Sequence, residues 1–257
     1  MLMPIVSAPS SVIAKPLPHR APWDGFPDVV IVAAQSSVKK HPDYDQAKQG
    51  NVHDAAPAAK RLATAMLTTA SVDAIGRLPL QGALIVPVHA LEGQGFNRIP
   101  AAFAELLAEE LNLDVETGII QVNVVNHTGA TGWQRLVSPP LFEGPVVADQ
   151  RYFLVDDFVG QGSTLANLRG HIVRYGGQVV GAACLTGRAD SSKLALTLHT
   201  LEGLRRKHGP ELEAWWAETC GYDFAALTES EARYLLRVED ADTIRVRLAE
   251  ARSEGDG

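Results

Sequence analysis

The sequence predicts an α/β protein in which an open parallel sheet is flanked by helices, with a C-terminal helical part. Short apolar runs alternate with segments of helical periodicity, which is typical of strand–helix units in a parallel sheet. The 257 residues, 46% of them hydrophobic, are enough to bury one large core. One apolar run, Tyr152–Val155, leads directly into two acids, a glycine-containing loop and a helical pattern. Such a strand–loop–helix unit is where α/β proteins place ligands.

Each element is predicted from local apolar spacing. Residues 1–27 are rich in proline and serine and predict an extended arm, with Trp23 and Phe26 anchoring its end. From about residue 191 the pattern is helical, so we expect an α/β core over 28–190 and a C-terminal helical region over 191–257. Within the core, strands are predicted over 28–34, 82–89, 118–125, 152–157 and 178–185, and helices over 51–70, 99–111 and 163–175, with a loop and short helix over 39–50.

The segment after the fourth predicted strand carries the chemistry. The acids Asp156 and Asp157 are followed by a loop at a helix start. Glycines let backbone N–H groups approach an anion, and the helix dipole favours its charge, so the loop suits a phosphate. The carboxylates suit hydroxyls or a cation, and a ligand with a phosphate beside a diol is a ribose 5-phosphate. The loop residues are Gly160, Gln161, Gly162, Ser163 and Thr164.

The segment also allows other interpretations. An ordinary strand–turn–helix connection would use Ser163 or Thr164 as the helix N-cap. The nucleotide-binding patterns GxxxxGK[ST] and GxGxxG are both missing from the stretch.

The stretch 151–171 resembles the 5-phosphoribosyl-1-pyrophosphate (PRPP) motif of type I phosphoribosyltransferases: a hydrophobic strand, two acids, a short Gly/Thr-rich loop and a helix. The resemblance implies that Asp156 and Asp157 contact the ribose hydroxyls and that loop 160–164 wraps the 5′-phosphate. Gly160 and Gln161 stand where the family has two threonines, which keeps the backbone donors but removes the threonine hydroxyls.

The segment 87–98, PVHALEGQGFNR, is similar to the competence protein F branch of that family. Gln94 replaces the arginine of the branch and Arg98 replaces its glutamine. Phe96 in the core and Asn97 as a helix N-cap would also explain the run GFNR. The likeness rests on Pro87, Gly95, Phe96 and Asn97. It implies a pyrophosphate loop made by Val88, His89, Ala90 and the cation Arg98.

The segment 125–146 occupies the place of the loop that closes over the reaction centre in the family. A stretch of roughly 20 residues without clear periodicity is usually functional or disordered. Arg135 would then meet the pyrophosphate and Trp133 would cover the base or the ribose, with His127 as a further reactive group. Closure would exclude water from an oxocarbenium-like centre. The alternative is a solvated loop in which Trp133 is a packing anchor.

The resemblance therefore implies transfer of phosphoribosyl from PRPP to a nitrogen base or nucleotide, with Asp156, Asp157 and Arg135 as catalytic residues. Mg²⁺ is expected on substrate oxygens and water, and no protein metal site is predicted. His41, Asp43 and nearby groups match neither a zinc nor a calcium pattern. The second hypothesis is a sensor or accessory protein that binds PRPP or a nucleotide without turning it over. The replacement of the branch's arginine by Gln94 favours this hypothesis, because fewer fixed cations would face the pyrophosphate.

The composition of the chain argues against some classes of binding partner. A net charge of −7 and a pI of about 5.6 argue against a general nucleic-acid surface. No apolar run reaches the ~20 residues that cross a bilayer, and the first residues lack the features of a secretory signal, so we expect a cytoplasmic protein. Cys184 and Cys220 predict no disulfide framework and no cysteine metal site. Family members often form homodimers, and this option stays open.

Aromatic residues are concentrated in the C-terminal region. They are Trp215, Trp216, Tyr222 and Phe224. They could stack on an acceptor base, as a hood subdomain does in the family. Adjacent tryptophans on a helix are more often one buried and one half-exposed residue, so packing in a core is the favoured interpretation.

Overall fold

A computed structural model of the protein describes residues 16–89, 91–92, 95–123, 125 and 131–255. Ala90 and His127, both candidate site residues, lie outside this description. Within the described part, no helix combines the length and the apolar character needed to cross a membrane.

The fold class predicted from the sequence is confirmed. Five strands form one sheet in the order β1-β9-β8-β2-β5, and each neighbouring pair runs parallel. Two short antiparallel pairs, β3–β4 and β6–β7, lie outside it. The strands are β1 Val30–Ala34, β2 Ala83–Pro87, β3 Leu91–Glu92, β4 Gly95–Phe96, β5 Asp114–Val115, β6 Ile120–Gln121, β7 Phe142–Glu143, β8 Arg151–Val159 and β9 Gln178–Gly187.

Helices cover both faces of the sheet and form the C-terminal part. The helices α3 and α5 lie on one face and α7 on the other. The helix α8 is kinked at Gly209. The helices are α1 Gln35–Lys39, α2 Tyr44–Gln49, α3 Val52–Met66, α4 Thr69–Gly76, α5 Ile99–Leu111, α6 Gly132–Val137, α7 Ser163–Arg174, α8 Leu198–Cys220, α9 Glu229–Leu236 and α10 Ala241–Gly255.

The alternation of side chains along β8 explains why both faces are covered. Phe153 and Val155 belong to the core under α3 and α5, whereas Tyr152 and Leu154 belong to the core under α7. All four side chains are completely buried. Successive strand residues point to opposite faces, so a strand that is apolar on both faces needs a layer of helices on each side.

A third core holds the C-terminal helices together. Trp216 is completely buried in this core, and Trp215 is partly buried against it. Tyr222 packs edgewise on the Trp216 ring, with the ring centroids 6.3 Å apart. Phe224 packs on it at a tilt, with the centroids 6.0 Å apart. These aromatics therefore pack in a core, as the favoured interpretation held. The domain boundaries at residues 27 and 190 stay predictions.

The predicted strand 118–125 is wrong as a member of the parallel sheet. Among the described residues of this segment only β6 forms, and it pairs antiparallel with β7. The edge strand beside β2 is β5 instead. Ile120 and Val122 are about half exposed, at 47% and 46%, so their apolar character does not reflect burial in a sheet. Asn123 ties the segment to the chain before β7, because its Nδ2 donates to the Pro139 carbonyl and its Oδ1 accepts the Leu141 N–H.

The predicted helix 51–70 is two helices. The helix α3 ends at Met66, and α4 begins at Thr69 after its N-cap Thr68. Thr68 and Ser71 form a capping box, in which each side chain bonds the backbone N–H of the other residue. Such a box satisfies N–H groups that have no partner inside the helix, and so it marks a new helix start.

Residues 16–29 contain no regular secondary structure, and they lie along α7 and α8. Arg169 of α7 donates to the carbonyls of Ala21 and Pro22, at 2.9 Å each. Trp23 donates from Nε1 to the Leu227 carbonyl at 2.7 Å. This described part of the predicted arm is thus held against the rest of the protein through Trp23 and Arg169.

Candidate phosphoribosyl site

The carboxyl ends of the parallel strands open into a cavity of about 390 Å³. This is the edge at which open α/β sheets bind ligands. Both acids of β8 and the whole loop 160–164 line the cavity, as do parts of α1, α2 and α6. The structure therefore brings the predicted ribose acids and the predicted phosphate loop into one space.

The two acids lie inside β8 rather than after it. Asp156 is 6% exposed and pairs in register with Cys184 of β9. Its Oδ1 accepts the backbone N–H of Asp157 at 2.8 Å. Burial, followed by the negative charge of Asp157, raises the pKa of Asp156 well above its usual range. Asp156 therefore holds a proton more readily than an exposed aspartate.

Asp157 has the opposite electrostatic environment. Burial would raise its pKa, but Lys48 and Asn97 outweigh burial and lower it. Lys48 Nζ lies 2.5 Å from Asp157 Oδ2, and Asn97 Nδ2 donates to the same oxygen at 3.1 Å. Because environment pushes the two pKa values apart, the pair has the character of one acid and one carboxylate. Together they can donate to and accept from adjacent hydroxyls.

The predicted phosphate loop, residues 160–164, is shaped by Gly162. This residue has φ +83° and is the N-cap of α7, with no side chain to bond the first helical N–H groups. The first N–H groups of a helix have no intrahelical partner, so here they remain oriented for an anion. The helix does not begin with Ser163 or Thr164 as its N-cap, and that alternative is wrong. Thr164 is half-buried and faces the cavity.

Ser163 contributes to the loop differently from what the resemblance implied. Its Oγ donates to Glu231 Oε1 at 2.5 Å, on the side of α9. The Thr228 hydroxyl donates to the carbonyl of Gln161 at 2.6 Å. The loop therefore has C-terminal partners, and Ser163 can offer a ligand its backbone N–H while its hydroxyl serves Glu231.

Cations surround the acids, although the chain as a whole carries a charge of −7. Arg135 is half-buried, and burial and the neighbouring charge of Arg188 lower its pKa. A polyanion between like charges in a cleft relieves their repulsion. The cavity is thus suited to a ligand with several negative charges. The lysines and arginines that line it are Lys39, Lys48, Arg135 and Arg188.

Sequence reasoning missed Lys39, Lys48 and Arg188. Lys48 is four residues after Tyr44 on α2, so helical spacing places both on one face of the helix. Arg188 directly follows β9. Ligands bind beyond the carboxyl ends of parallel strands, so its place after a predicted strand indicates a site residue. Those two signals were available in the sequence.

Of the predicted pyrophosphate loop, Val88 lines the cavity, whereas His89 and the predicted cation Arg98 are not among its lining residues. The N–H of Val88 donates to the Val155 carbonyl at 2.8 Å, so this amide serves the sheet. His89 is half-buried, its carbonyl accepts the Gln121 N–H at 2.9 Å, and burial and the charge of Arg98 lower its pKa. Ala90 lies outside the described residues.

The last two residues of the run GFNR, Asn97 and Arg98, have different structural roles. Asn97 contacts Asp157 with Nδ2, and its Oδ1 accepts the N–H of Ile99 at 3.2 Å. Arg98 is the N-cap of α5, and its N–H donates to the Ala47 carbonyl at 3.1 Å. The helix N-cap is therefore Arg98 and not Asn97, while Asn97 stabilises both the helix start and the acid pair.

The segment 125–146 contains a helix that the sequence did not reveal. The helix α6 begins after a capping box formed by Thr131 and Gln134. Arg135 lines the cavity, as expected for a residue that meets pyrophosphate. Trp133 instead packs edgewise on Tyr234 of α9, with ring centroids 5.1 Å apart. The anchor interpretation of Trp133 is therefore the one that the structure supports.

Comparison with known proteins agrees with this geometry. Residues 100–200 match the family described as the phosphoribosyl transferase domain. Residues 100–200 of the chain are therefore similar to phosphoribosyltransferases, in agreement with the resemblance of the motif. The matched segment runs from α5 to the start of α8 and includes both acids and the loop 160–164. The likeness of residues 87–98 to the competence protein F branch lies outside the match and stays a prediction.

Two curated relatives are longer than this chain. Protein TraN of Escherichia coli is 41% identical over 240 residues, which are 92% of the chain and 52% of TraN. An uncharacterized protein of Haemophilus influenzae is 38% identical over 156 residues, which are 60% of the chain and 34% of that protein. The chain spans about half or less of the length of these relatives.

Proposed function

We propose that the protein binds PRPP together with Mg²⁺ and transfers the phosphoribosyl group to a nitrogen base, with release of pyrophosphate. The observation that carries the proposal is the placement of Asp156 and Asp157 beside the N-terminus of α7 in a cavity lined by cations. A ribose 5-phosphate needs those two features next to each other. A pyrophosphate on the same sugar needs the cations.

The residues divide the substrate between them. The N–H groups at the start of α7 would bind the 5′-phosphate, and the acids would hold the ribose hydroxyls. Lys48, Arg135 and Arg188 would face the pyrophosphate. In the reaction the bond from C1 to the pyrophosphate oxygen breaks, pyrophosphate leaves with the electron pair, and a nitrogen lone pair of the base forms the new bond to C1.

Positioning and electrostatics would account for most of the rate enhancement. The negative charge of Asp157 would favour the positive charge that develops on the sugar ring. Cations near the pyrophosphate would stabilise the charge that this group gains as it leaves. Partial burial of Arg135 would strengthen its interaction with the leaving group, because charges attract more strongly where water is excluded.

Mg²⁺ fits this site as part of the substrate. Among the residues that the structure describes, no group of three histidine, cysteine or acidic side chains could hold a metal ion. Asp157 Oδ2 already accepts from Lys48 and Asn97. We propose that the ion enters on the oxygens of PRPP, where it would neutralise pyrophosphate charge.

Calorimetric titration with PRPP, with and without Mg²⁺, tests the binding site. The double variant Asp156→Asn/Asp157→Asn is expected to lose binding. The variant Asp73→Asn/Asp114→Asn, which changes the charge equally at exposed positions, is expected to retain it. Loss of binding in both variants, or in neither, would contradict the assigned site.

A second candidate function is PRPP binding without turnover. The observation that favours it is the occupation of Asp157 by Lys48 and Asn97, which leaves this carboxylate with fewer lone pairs for the ribose. Pyrophosphate release measured over a panel of purine and pyrimidine bases separates the two functions. Binding with no release for any base would favour a sensor or accessory role. A homodimer and a cytoplasmic location also remain proposals.

A further inference from the structure

The capping box of α9 lies directly behind the phosphate loop. Thr228 Oγ1 accepts the N–H of Glu231 at 3.1 Å, and Glu231 Oε2 accepts the N–H of Thr228 at 2.9 Å. The same two side chains also bond the loop, through the Gln161 carbonyl and the Ser163 hydroxyl. Both Thr228 and Glu231 are completely buried. One small motif thus starts a helix and holds a loop 68 residues earlier in the chain.

An acid behind a phosphate loop needs a counter-charge, and Arg20 supplies it. Two guanidinium nitrogens of Arg20 donate to the two carboxylate oxygens of Glu231, at 2.5 and 2.9 Å. Burial alone would raise the pKa of Glu231, but Arg20 outweighs burial and lowers it. Arg20 also donates from Nε to Asn167 of α7 at 2.6 Å, and its guanidinium stacks on the Tyr222 ring.

We propose that Thr228 and Glu231, neutralised by Arg20, are positioning residues that fix the phosphate loop in its anion-binding conformation. The inference rests on the proposed function for the identity of the phosphate. None of the three residues lines the cavity, so they act through Gln161 and Ser163. The N-terminal arm and the C-terminal helices, which flank the α/β core in the chain, thereby help to hold the loop of the substrate site without lining its cavity.

Two threonine variants test the positioning role. Thr228→Val removes both hydrogen bonds of the hydroxyl, whereas Thr228→Ser keeps them. Thr68→Val is the matched control, because Thr68 also forms a capping box but caps α4, outside the cavity lining. The hydrogen-exchange rates of residues 160–165 report how firmly the loop is held without ligand. Calorimetry measures the affinity of each variant for PRPP.

The expected result is faster exchange of the loop and at least tenfold weaker PRPP binding in Thr228→Val only. If turnover is observed, KM should rise more than kcat falls. Unchanged loop exchange and unchanged PRPP affinity in Thr228→Val would overturn the positioning role, as would equal loss in Thr68→Val. A wild-type protein that binds no PRPP would refute the proposed function, and loop exchange together with binding of inorganic phosphate would still decide the positioning role.

The ion pair between Arg20 and Glu231 allows an independent test of the positioning role. Arg20→Met leaves the Glu231 carboxylate without its counter-ion near the phosphate, so PRPP affinity should fall. The double variant Arg20→Met/Glu231→Met removes both charges and should recover part of that affinity. A double variant that binds no better than the single one, while both remain folded by circular dichroism, would overturn the counter-ion role. If Arg20→Met does not fold, the Thr228 variants decide the proposal.

Discussion

Lys48 on α2 places its ammonium nitrogen 2.5 Å from Oδ2 of Asp157 on β8. The contact joins a helix near the start of the chain to the middle of the sheet, 109 residues later. Both side chains are mostly buried, with 18% and 13% of their surfaces exposed. A charged pair in this position lowers the cost of keeping a carboxylate at a buried strand end, and it adds a cation to the wall of the cavity.

Replacing Lys48 by methionine is expected to weaken PRPP binding about tenfold, which is about 1.4 kcal/mol. The cavity would lose a cation that faces a polyanion, and the pKa of Asp157 would rise because Lys48 lowers it. Titration calorimetry at several pH values measures both effects. Lys40→Met is the control, because Lys40 is exposed and lies outside the cavity lining. Equal or tighter binding in Lys48→Met would show that Lys48 competes with the ribose for Asp157.

Asp156→Asn is expected to stabilise the protein near neutral pH and to abolish PRPP binding. The folded state raises the pKa of Asp156, so it binds a proton that the unfolded state has lost. Stability therefore falls as the pH rises from the usual aspartate pKa through the raised one. Asparagine removes this loss and still accepts the N–H of Asp157. We expect a gain of about 1–3 kcal/mol at pH 8, and a smaller gain at pH 4.5.

Urea denaturation of wild type and variant at the two pH values checks this prediction. The exposed Asp73→Asn is expected to change stability by less than about 0.5 kcal/mol at both. A destabilised Asp156→Asn at pH 8 would mean that the carboxylate is paired more strongly than its buried surroundings indicate.

The acid–loop–helix unit could be predicted because it is contiguous in sequence. Asp156, Asp157 and loop 160–164 lie within nine residues, and residue types fix local geometry there. Helix α5 was likewise predicted with its observed bounds, since Phe103 and Leu107 recur at helical spacing and are completely buried. Local patterns of this kind need no knowledge of the rest of the chain.

Contacts between distant segments could not be predicted. Lys48 reaches Asp157 only because α2 packs at the end of the sheet, and Ser163 reaches Glu231 across 68 residues. The strand predicted over 118–125 failed for a related reason. Apolar residues such as Ile120 in a two-stranded ribbon and Val122 just after it can be exposed, and composition alone does not separate that case from a buried strand.

Gly162→Ala is expected to destabilise the protein by about 2–5 kcal/mol and to remove PRPP binding. The residue has φ +83°, and an added Cβ would overlap the side chain of Leu194. Gly25→Ala is the matched control, since Gly25 also has a positive φ, +64°, but open space around it. The control isolates the backbone cost of about 1–2 kcal/mol. Equal destabilisation of the two variants in urea would mean that the Leu194 side chain moves aside without lowering the free energy of unfolding.

Gly170→Ala is expected to destabilise the protein by about 1–3 kcal/mol, although alanine is the better helix former. An added Cβ on α7 would overlap the backbone of His19 and Arg20, so the arm would have to leave the helix. Gly203→Ala on α8 is the control, because its Cβ would meet only Leu236 at 3.7 Å, and it should stabilise by about 0.5–1 kcal/mol.

Limited proteolysis supplies the second measurement for the Gly170 variant. If residues 16–29 are held by their contact with α7, cleavage within them should be faster in Gly170→Ala and unchanged in Gly203→Ala. Arg20 would move with the arm, so the Glu231 carboxylate would lose its counter-ion and PRPP affinity should fall as well. A Gly170→Ala protein that is as stable and as protease-resistant as wild type would show that the arm can shift along α7 without losing its contacts.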